Sequence, residues 1–205
     1  MSKKLKIAIT VATSVLIIVI VIISTFFIVK NFKDKENIDN IIVDYSDENI
    51  QDRLDNEAIK STDDLMQQID GEYVIGVIKI DKIGFSGPVY KGTSLDTLSK
   101  GVGHFDSSPY LNGNVCLAAH NTSKYWANLH TLKKGDKIIY TSFLGTKEYS
   151  VTDMLQISET DWTKLSNTTE NMLTLLTCVK GKPTQRLCVQ ALETDLKNFF
   201  SAMSK

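Results

Sequence analysis

The pattern of hydrophobic and polar positions begins with a long apolar stretch near the start of the chain. Residues 7 to 29 contain no charged side chain. A helix of this length, at ~1.5 Å per residue, reaches ~34 Å and can cross a hydrocarbon core of ~30 Å. A cleaved secretory peptide has a shorter apolar run followed by small residues, whereas bulky residues continue here through Phe26, Phe27 and Ile28. The pattern predicts a retained transmembrane helix over 7–29.

A polar and acidic region follows the apolar stretch. Residues 34 to 72 contain 13 Asp and Glu side chains, and residues 30 to 60 show no hydrophobic period. Such a composition cannot bury a core, so it predicts a flexible acidic tether over 30–60. Ser61 and the acidic residues after it then form an N-cap pattern, with Leu65 and Ile69 on one helical face. We therefore expect a short helix to open a domain over 61–205.

Beyond Gly71 the pattern changes to short runs enriched in Val, Ile, Leu, Thr and Tyr. Turn-forming segments rich in Gly, Pro and Lys separate these runs. Two helical interruptions are expected, around Ser94–Lys100 and Glu159–Ser166. Repeated short strands without long helices favour an all-β barrel or sandwich of one domain. The predicted strands are Tyr73–Ile80, Val115–Ala119, Lys137–Phe143, Tyr149–Ile157, Met172–Cys178 and Arg186–Leu192.

The charges that flank the apolar stretch predict its orientation. Lys3, Lys4, Lys6 and the α-amino group precede it, and three lysines follow it within six residues. Because acidic residues count little in the positive-inside rule, the bias is four positive groups to three. We therefore predict a cytoplasmic tail over 1–6 and a single-pass cell-membrane protein whose domain is extracellular.

Composition excludes several functional classes. The formal net charge is −1, and residues 73 to 205 carry 15 Lys and Arg against 11 Asp and Glu without a basic run. Nucleic-acid binding is therefore not predicted. The three cysteines lack CxxC spacing and no two of the three histidines are spaced i, i+4. This pattern argues against a zinc site, and we predict neither a metal nor a cofactor.

Three residues at the ends of predicted strands could carry chemistry. Cys178 ends an apolar strand, so solvent and substrate can reach its thiol. Arg186 follows eight residues later, at the start of the next strand, where its guanidinium can donate to an oxyanion. His120 stands where another apolar strand ends, and histidine is the usual proton-transfer partner of a catalytic cysteine.

Each of these residues also has a structural interpretation. Free cysteine is among the most buried residue types, and a single arginine on a strand is usually solvated. Cys116 and Cys188 lie inside apolar strands and are expected to be inert, and His104 and His130 are expected to be structural or surface residues. It is the combination of Cys178, Arg186 and His120 that points to catalysis.

These motifs resemble those of the sortases, the membrane-anchored cysteine transpeptidases of Gram-positive bacteria. The family pattern Thr-Leu-x-Thr-Cys, followed closely by Arg, is present as residues 174–178 with Arg186. The family's histidine at the end of an apolar strand corresponds to His120, and the similarity extends over about 73–193. Many sortases have Gly before this histidine, where this chain has Ala119.

The resemblance implies a closed eight-stranded β-barrel with short helices. It also implies that the Cys178 thiolate cleaves a sorting signal like Leu-Pro-x-Thr-Gly in a secreted protein. His120 would protonate the leaving amine, Arg186 would donate to the carbonyl oxygen, and the hydroxyl of Thr177 would help to hold the substrate. An amine of a peptidoglycan precursor would then resolve the thioacyl-enzyme, which makes cell-wall precursors and secreted proteins the expected partners.

Some family features favour particular classes. No second apolar span follows residue 193, and the segment between Ile157 and Met172 is short for a long helix. These features favour the housekeeping or the sporulation-associated (class D) type over the pilin-polymerising and haem-protein-anchoring types. Two alternatives stay open: a membrane-tethered cysteine peptidase that only hydrolyses, and a non-catalytic β-barrel binding module.

Overall fold

A computed structural model describes residues 3–45, 62–69 and 71–194. The chain divides into two units, residues 1–40 and 41–205. The first unit is helical, and most of α1 (Lys3–Asp44) lies within it. The segment 11–33 of α1 has a mean hydropathy of 2.9 and exposes its apolar side chains. Among the described residues, one helix is long enough and apolar enough to cross a membrane, and it is this one.

The hydroxyl of Thr25, a polar group within this apolar segment, has hydrogen-bond acceptors on the same helix. The Thr25 hydroxyl lies 2.7 Å from the carbonyl oxygen of Val21 and 3.0 Å from that of Ile22, and it can donate to either. Such bonds to the preceding turn let a hydroxyl sit on a helix without an outside partner. The helix therefore presents an apolar surface over its whole middle section.

The structure continues α1 into the segment predicted to be a tether. Helix continues through Asp44, so residues 30–44 of the expected acidic tether are helical. Ile41 and Tyr45 lie four residues apart on one face, and both are buried. The Tyr45 hydroxyl donates to the carbonyl oxygen of Val74 at 2.7 Å and accepts from the Gln67 N–H at 3.0 Å. These contacts hold Tyr45, which follows α1, against the strand that contains Val74. Residues 46–61 lie outside the described part.

The described residues of the second unit form nine strands, and eight of these close into a barrel. In the order of the sheet, β2 is followed by β3, β4, β5, β8, β9, β7 and β6, and β6 pairs with β2 again. The short strand β1 is added at the other edge of β2. This arrangement confirms the predicted closed eight-stranded barrel. The strands are β1 (Gln67–Ile69), β2 (Glu72–Ile80), β3 (Phe85–Lys91), β4 (Val102–His104), β5 (Asn114–Ala118), β6 (Lys137–Ser142), β7 (Gly145–Ser158), β8 (Met172–Val179) and β9 (Lys182–Glu193).

Closure requires a very close approach of β6 to β2. Gly76 pairs with Ser142 across this seam. A Cβ atom at Gly76 would lie 2.1 Å from the carbonyl oxygen of Thr141, which is far inside van der Waals contact. The absence of a side chain at Gly76 therefore lets the two strands meet and close the barrel.

The short helices agree only in part with the sequence prediction. Helix α2 (Leu95–Lys100) forms where expected, and the Ser94 hydroxyl caps it by accepting from the Thr97 N–H at 3.0 Å. The predicted opening helix is only one 3₁₀ turn, Thr62–Leu65. Ile69, which was expected on the same helical face as Leu65, lies in β1 instead. The second interruption contains only the 3₁₀ turn Thr163–Leu165. Two further 3₁₀ turns are Asp81–Ile83 and Leu129–Thr131.

Candidate active site

Cys178 is the exposed residue at the end of a buried strand. The side chains from Leu173 to Thr177 of β8 are buried in the barrel, whereas Cys178 is exposed and its thiol is free. The strand leaves the barrel at this point and turns into β9. The predicted accessibility of Cys178 is therefore present in the structure.

Arg186 lies directly opposite Cys178. The two residues are cross-strand partners in the β8–β9 hairpin. Side chains of directly opposed residues project from the same face with Cβ atoms ~5 Å apart. The hairpin thus places a fixed positive charge beside the thiol.

His120 reaches the same end of the barrel from another strand. It follows β5, which runs parallel to β8 with Ala118 opposite Leu176. Because parallel neighbours end at the same edge, His120 and Cys178 emerge together. Both line one cavity of about 310 Å³, together with Thr177 and Arg186.

Thr177 connects the two strands rather than projecting its hydroxyl into the cavity. The side chain is 3% exposed, and its hydroxyl donates to the carbonyl oxygen of Ala119 at 2.8 Å. The Ala119 N–H in turn donates to the carbonyl oxygen of Leu176 at 3.2 Å. The donor that we expected to serve the substrate is therefore engaged within the protein, where it holds the residue before His120 against β8.

Asn121 makes a contact that sequence analysis did not identify. Its side-chain amide donates to the carbonyl oxygen of Cys178 at 2.6 Å. The residue after the candidate acid is thereby tied to the candidate nucleophile. Its position next to His120 was the one available signal in the sequence.

The guanidinium of Arg186 is held by three acceptors. Its Nη1 donates to the carbonyl oxygens of Pro183 at 2.7 Å and Gln185 at 3.0 Å. Its Nη2 donates to Oε2 of Glu159 at 2.8 Å. Glu159 also lines the cavity, and sequence analysis did not identify it because it is distant from Arg186 along the chain.

One wall of the cavity is apolar and open to solvent. Leu95 is 80% exposed and Trp162 is 61% exposed, and both line the cavity. Phe105 supports the Trp162 ring edge-on, with the ring centroids 6.3 Å apart. The cavity therefore combines apolar contact area with a small set of polar groups, as binding clefts commonly do.

The other cysteines lie away from solvent. Cys116 and Cys188 are fully buried and form no disulfide. Burial raises the pKa of the Cys116 thiol to about 12 and that of Cys188 to about 11. A thiol with so high a pKa forms little thiolate, so neither residue is suited to act as a nucleophile.

The other histidines lie outside the cavity. His104 is buried, it stacks on Tyr110, and its Nε2 lies 2.9 Å from the Ser108 hydroxyl. Burial lowers the pKa of His104. His130 donates from Nδ1 to the carbonyl oxygen of Ala127 at 2.8 Å. Both positions agree with the structural roles expected for them.

Acyl transfer is the chemistry that this arrangement can perform. A thiol, an imidazole and a guanidinium lie at one end of the barrel, and these are groups that acyl transfer can use as nucleophile, proton donor and oxyanion donor. Within the described residues, no group of three His, Cys, Asp or Glu side chains could hold a metal ion.

Comparison with known proteins identifies the family. A model of the sortase domain matches residues 78–194, which is more than half of the chain. The chain therefore belongs to the sortase family, as the motifs around Cys178 and His120 indicated.

Individual relatives show the extent of the similarity. Sortase A of Bacillus anthracis is 31% identical over 127 residues, which cover 60% of each chain. The structure of Listeria monocytogenes sortase A is 31% identical with a TM-score of 0.56, covering 60% of this chain and 88% of that one. A Clostridium perfringens sortase D5 transpeptidase has the same fold, with a TM-score of 0.62 and 24% identity over 79% of this chain and 98% of that one. The chain spans roughly half to three fifths of the length of the curated relatives that it matches.

Proposed function

We propose that this protein is a cysteine transpeptidase that cleaves a sorting signal like Leu-Pro-x-Thr-Gly and joins the cleaved protein to a cell-wall amine. The observation that carries this proposal is the direct pairing of Cys178 with Arg186, beside His120 in one cavity. The family assignment supports the same function. No metal or cofactor is needed, because thiol, imidazole and guanidinium supply every step.

The first half-reaction forms a thioester. The Cys178 thiolate attacks the Thr carbonyl carbon, the Sγ–C bond forms, and the carbonyl electron pair moves onto oxygen. Arg186 donates to this oxyanion. As the oxyanion collapses, the C–N bond to Gly breaks and His120 in its imidazolium form gives its proton to the departing amine.

The second half-reaction transfers the acyl group. An amine attacks the thioester carbonyl, and the now neutral His120 accepts the proton that this amine loses. The Cys178 thiolate leaves, which restores the starting state. Partners are therefore secreted proteins with a C-terminal sorting signal and a peptidoglycan precursor that offers the amine.

The apolar wall of the cavity suits the residues that precede the scissile bond. Leu95 and Trp162 offer exposed apolar area to the leucine and proline of such a signal. Thr177 acts as a positioning residue, because its hydroxyl holds Ala119 and hence the segment that carries His120.

Product analysis tests this proposal against the two alternatives. The full chain in detergent is incubated with a library of Leu-Pro-x-Thr-Gly peptides, with and without a glycine or diaminopimelate amine. Mass spectrometry is expected to detect an enzyme–acyl adduct, and the peptide–amine product only when the amine is present. Hydrolysis product alone at saturating amine would identify a peptidase, and binding without any adduct would identify a binding module.

The apolar segment of α1 and the charges that flank it support the proposed localisation. We expect residues 1–6 in the cytoplasm, a membrane anchor in the N-terminal part of α1 and the domain over 61–205 outside the cell. Protease added to intact protoplasts of a Gram-positive host should remove residues beyond about 40 and leave a cytoplasmic marker intact. Protection of the domain until the protoplasts are lysed would contradict this orientation. Immunoblotting of an N-terminal and a C-terminal tag gives the measurement.

A further inference from the structure

The cavity contains an ion pair between Arg186 and Glu159, and Glu159 has no part in the acyl-transfer steps described above. Oε2 of Glu159 lies 2.8 Å from Nη2 of Arg186. Both side chains are partly exposed, at 41% for Glu159 and 29% for Arg186. An exposed pair of this kind contributes little to folding stability, so its effect on folding does not explain its place in the cavity.

The backbone places Glu159 for this contact. At the end of β7, Ile157 pairs with Arg186 and Ser158 pairs with Gln185. One residue further, the Glu159 N–H donates to the carbonyl oxygen of Thr184 at 2.9 Å. Glu159 is thus bound to β9 just where β7 leaves it, and its carboxylate reaches across to the guanidinium.

The remaining contacts of Arg186 show what the ion pair does. An arginine has five N–H donors. Three are engaged, by Pro183, Gln185 and Glu159, and the described residues leave two for another acceptor. A long side chain with several rotamers is thereby held in one orientation, and its residue pairs with Cys178 across the hairpin.

We propose that Glu159 is a positioning residue that holds the Arg186 guanidinium in the orientation needed to stabilise the oxyanion. This inference rests on the proposed transpeptidase function, because it assigns a role within the same site. Glu159 acts through Arg186 and does not touch the reacting atoms. Preorganised donors stabilise a transition state because they need no rearrangement during the reaction.

The kinetic test compares E159Q with wild-type protein. Using the full chain in detergent and a peptide that acylates the wild type, we expect single-turnover acylation to fall roughly five- to tenfold, with peptide affinity within about twofold. In an R186K background, E159Q should cause no further decrease. E159D keeps the charge and should retain an intermediate rate. The pH–rate profile of E159Q should keep its shape.

A matched control removes a carboxylate from β7, the strand that precedes Glu159. Asp153 forms a 3.2 Å ion pair with Lys134 and does not line the cavity. D153N should acylate at the wild-type rate. Any of three results would overturn the proposal. The first is unchanged or faster acylation by E159Q, and the second is a shifted pH–rate profile. The third is a decrease in acylation on adding E159Q to R186K that equals the decrease E159Q causes in the wild type.

A second measurement follows Arg186 without any substrate. The chain has two arginines, Arg53 and Arg186, so R53K assigns their Nε–H signals in an NMR spectrum. We expect E159Q to broaden or shift the Arg186 signal and D153N to leave it unchanged. An Arg186 signal unaffected by E159Q would overturn the positioning role. Absence of any wild-type adduct would instead contradict the transpeptidase function, so the two failures are distinguishable.

Discussion

Replacing Cys178 by alanine should abolish the covalent adduct between the protein and a sorting-signal peptide. The reaction needs a sulfur at the exposed end of β8, and alanine offers no nucleophile there. Intact-mass spectrometry of the full chain after incubation with peptide measures the adduct directly. Because Cys178 is exposed, the substitution should change the free energy of unfolding very little.

The two buried cysteines provide matched controls. C116A and C188A should each form the adduct at nearly the wild-type rate. Each removes a buried sulfur and leaves a small void, so we expect a loss of about 1 kcal/mol in the free energy of unfolding. Normal adduct formation by C178A, or its loss in a folded C116A or C188A variant, would contradict the assignment of the nucleophile.

Replacing Arg186 by lysine should lower the acylation rate by roughly 10² to 10³, the effect typical of a lost oxyanion donor. Lysine keeps the positive charge but lacks the planar fork that donates to Glu159 and to two backbone carbonyls. The proposed donation to the substrate oxyanion needs the same fork. Single-turnover acylation of the purified variant is the measurement.

The effect on Arg186 variants should be specific to the chemical step. Binding of an uncleavable peptide analogue should change much less than the rate, because the donor acts mainly on the charge that develops during attack. The Tm should also change little, since the ion pair with Glu159 is partly exposed. Near-normal acylation by R186A would show that Arg186 has no role in the chemical step.

Much of the fold could be predicted because its elements carry local patterns. The apolar stretch, the Ser94 cap and six strands were identified from periodicity and turn residues. Strand β3 is absent from the predicted strands, because Gly84, Gly87 and Pro88 are typical turn residues. Its pairing on both sides, with β2 and β4, stabilises an extended strand that local preference alone does not indicate.

The candidate site divides in the same way. Cys178 and His120 could be selected because each stands where an apolar run ends, and Arg186 because an apolar run follows it directly. The roles of Asn121 and Glu159 could not, because each depends on a contact with a residue that is distant along the chain. The engagement of the Thr177 hydroxyl by Ala119 was missed for the same reason.

By itself, the sequence determined a long apolar helix, a series of short strands and a set of residues near strand ends whose side chains can take part in acyl transfer. Helical and strand periods, caps and turns are properties of neighbouring residues, so they can be read without knowing the fold. Only the tertiary structure decided that β6 returns to β2 past Gly76, and that β5 and β8 end together. It also decided that Glu159 meets Arg186, because such contacts arise from strand pairing between distant segments once the barrel has closed.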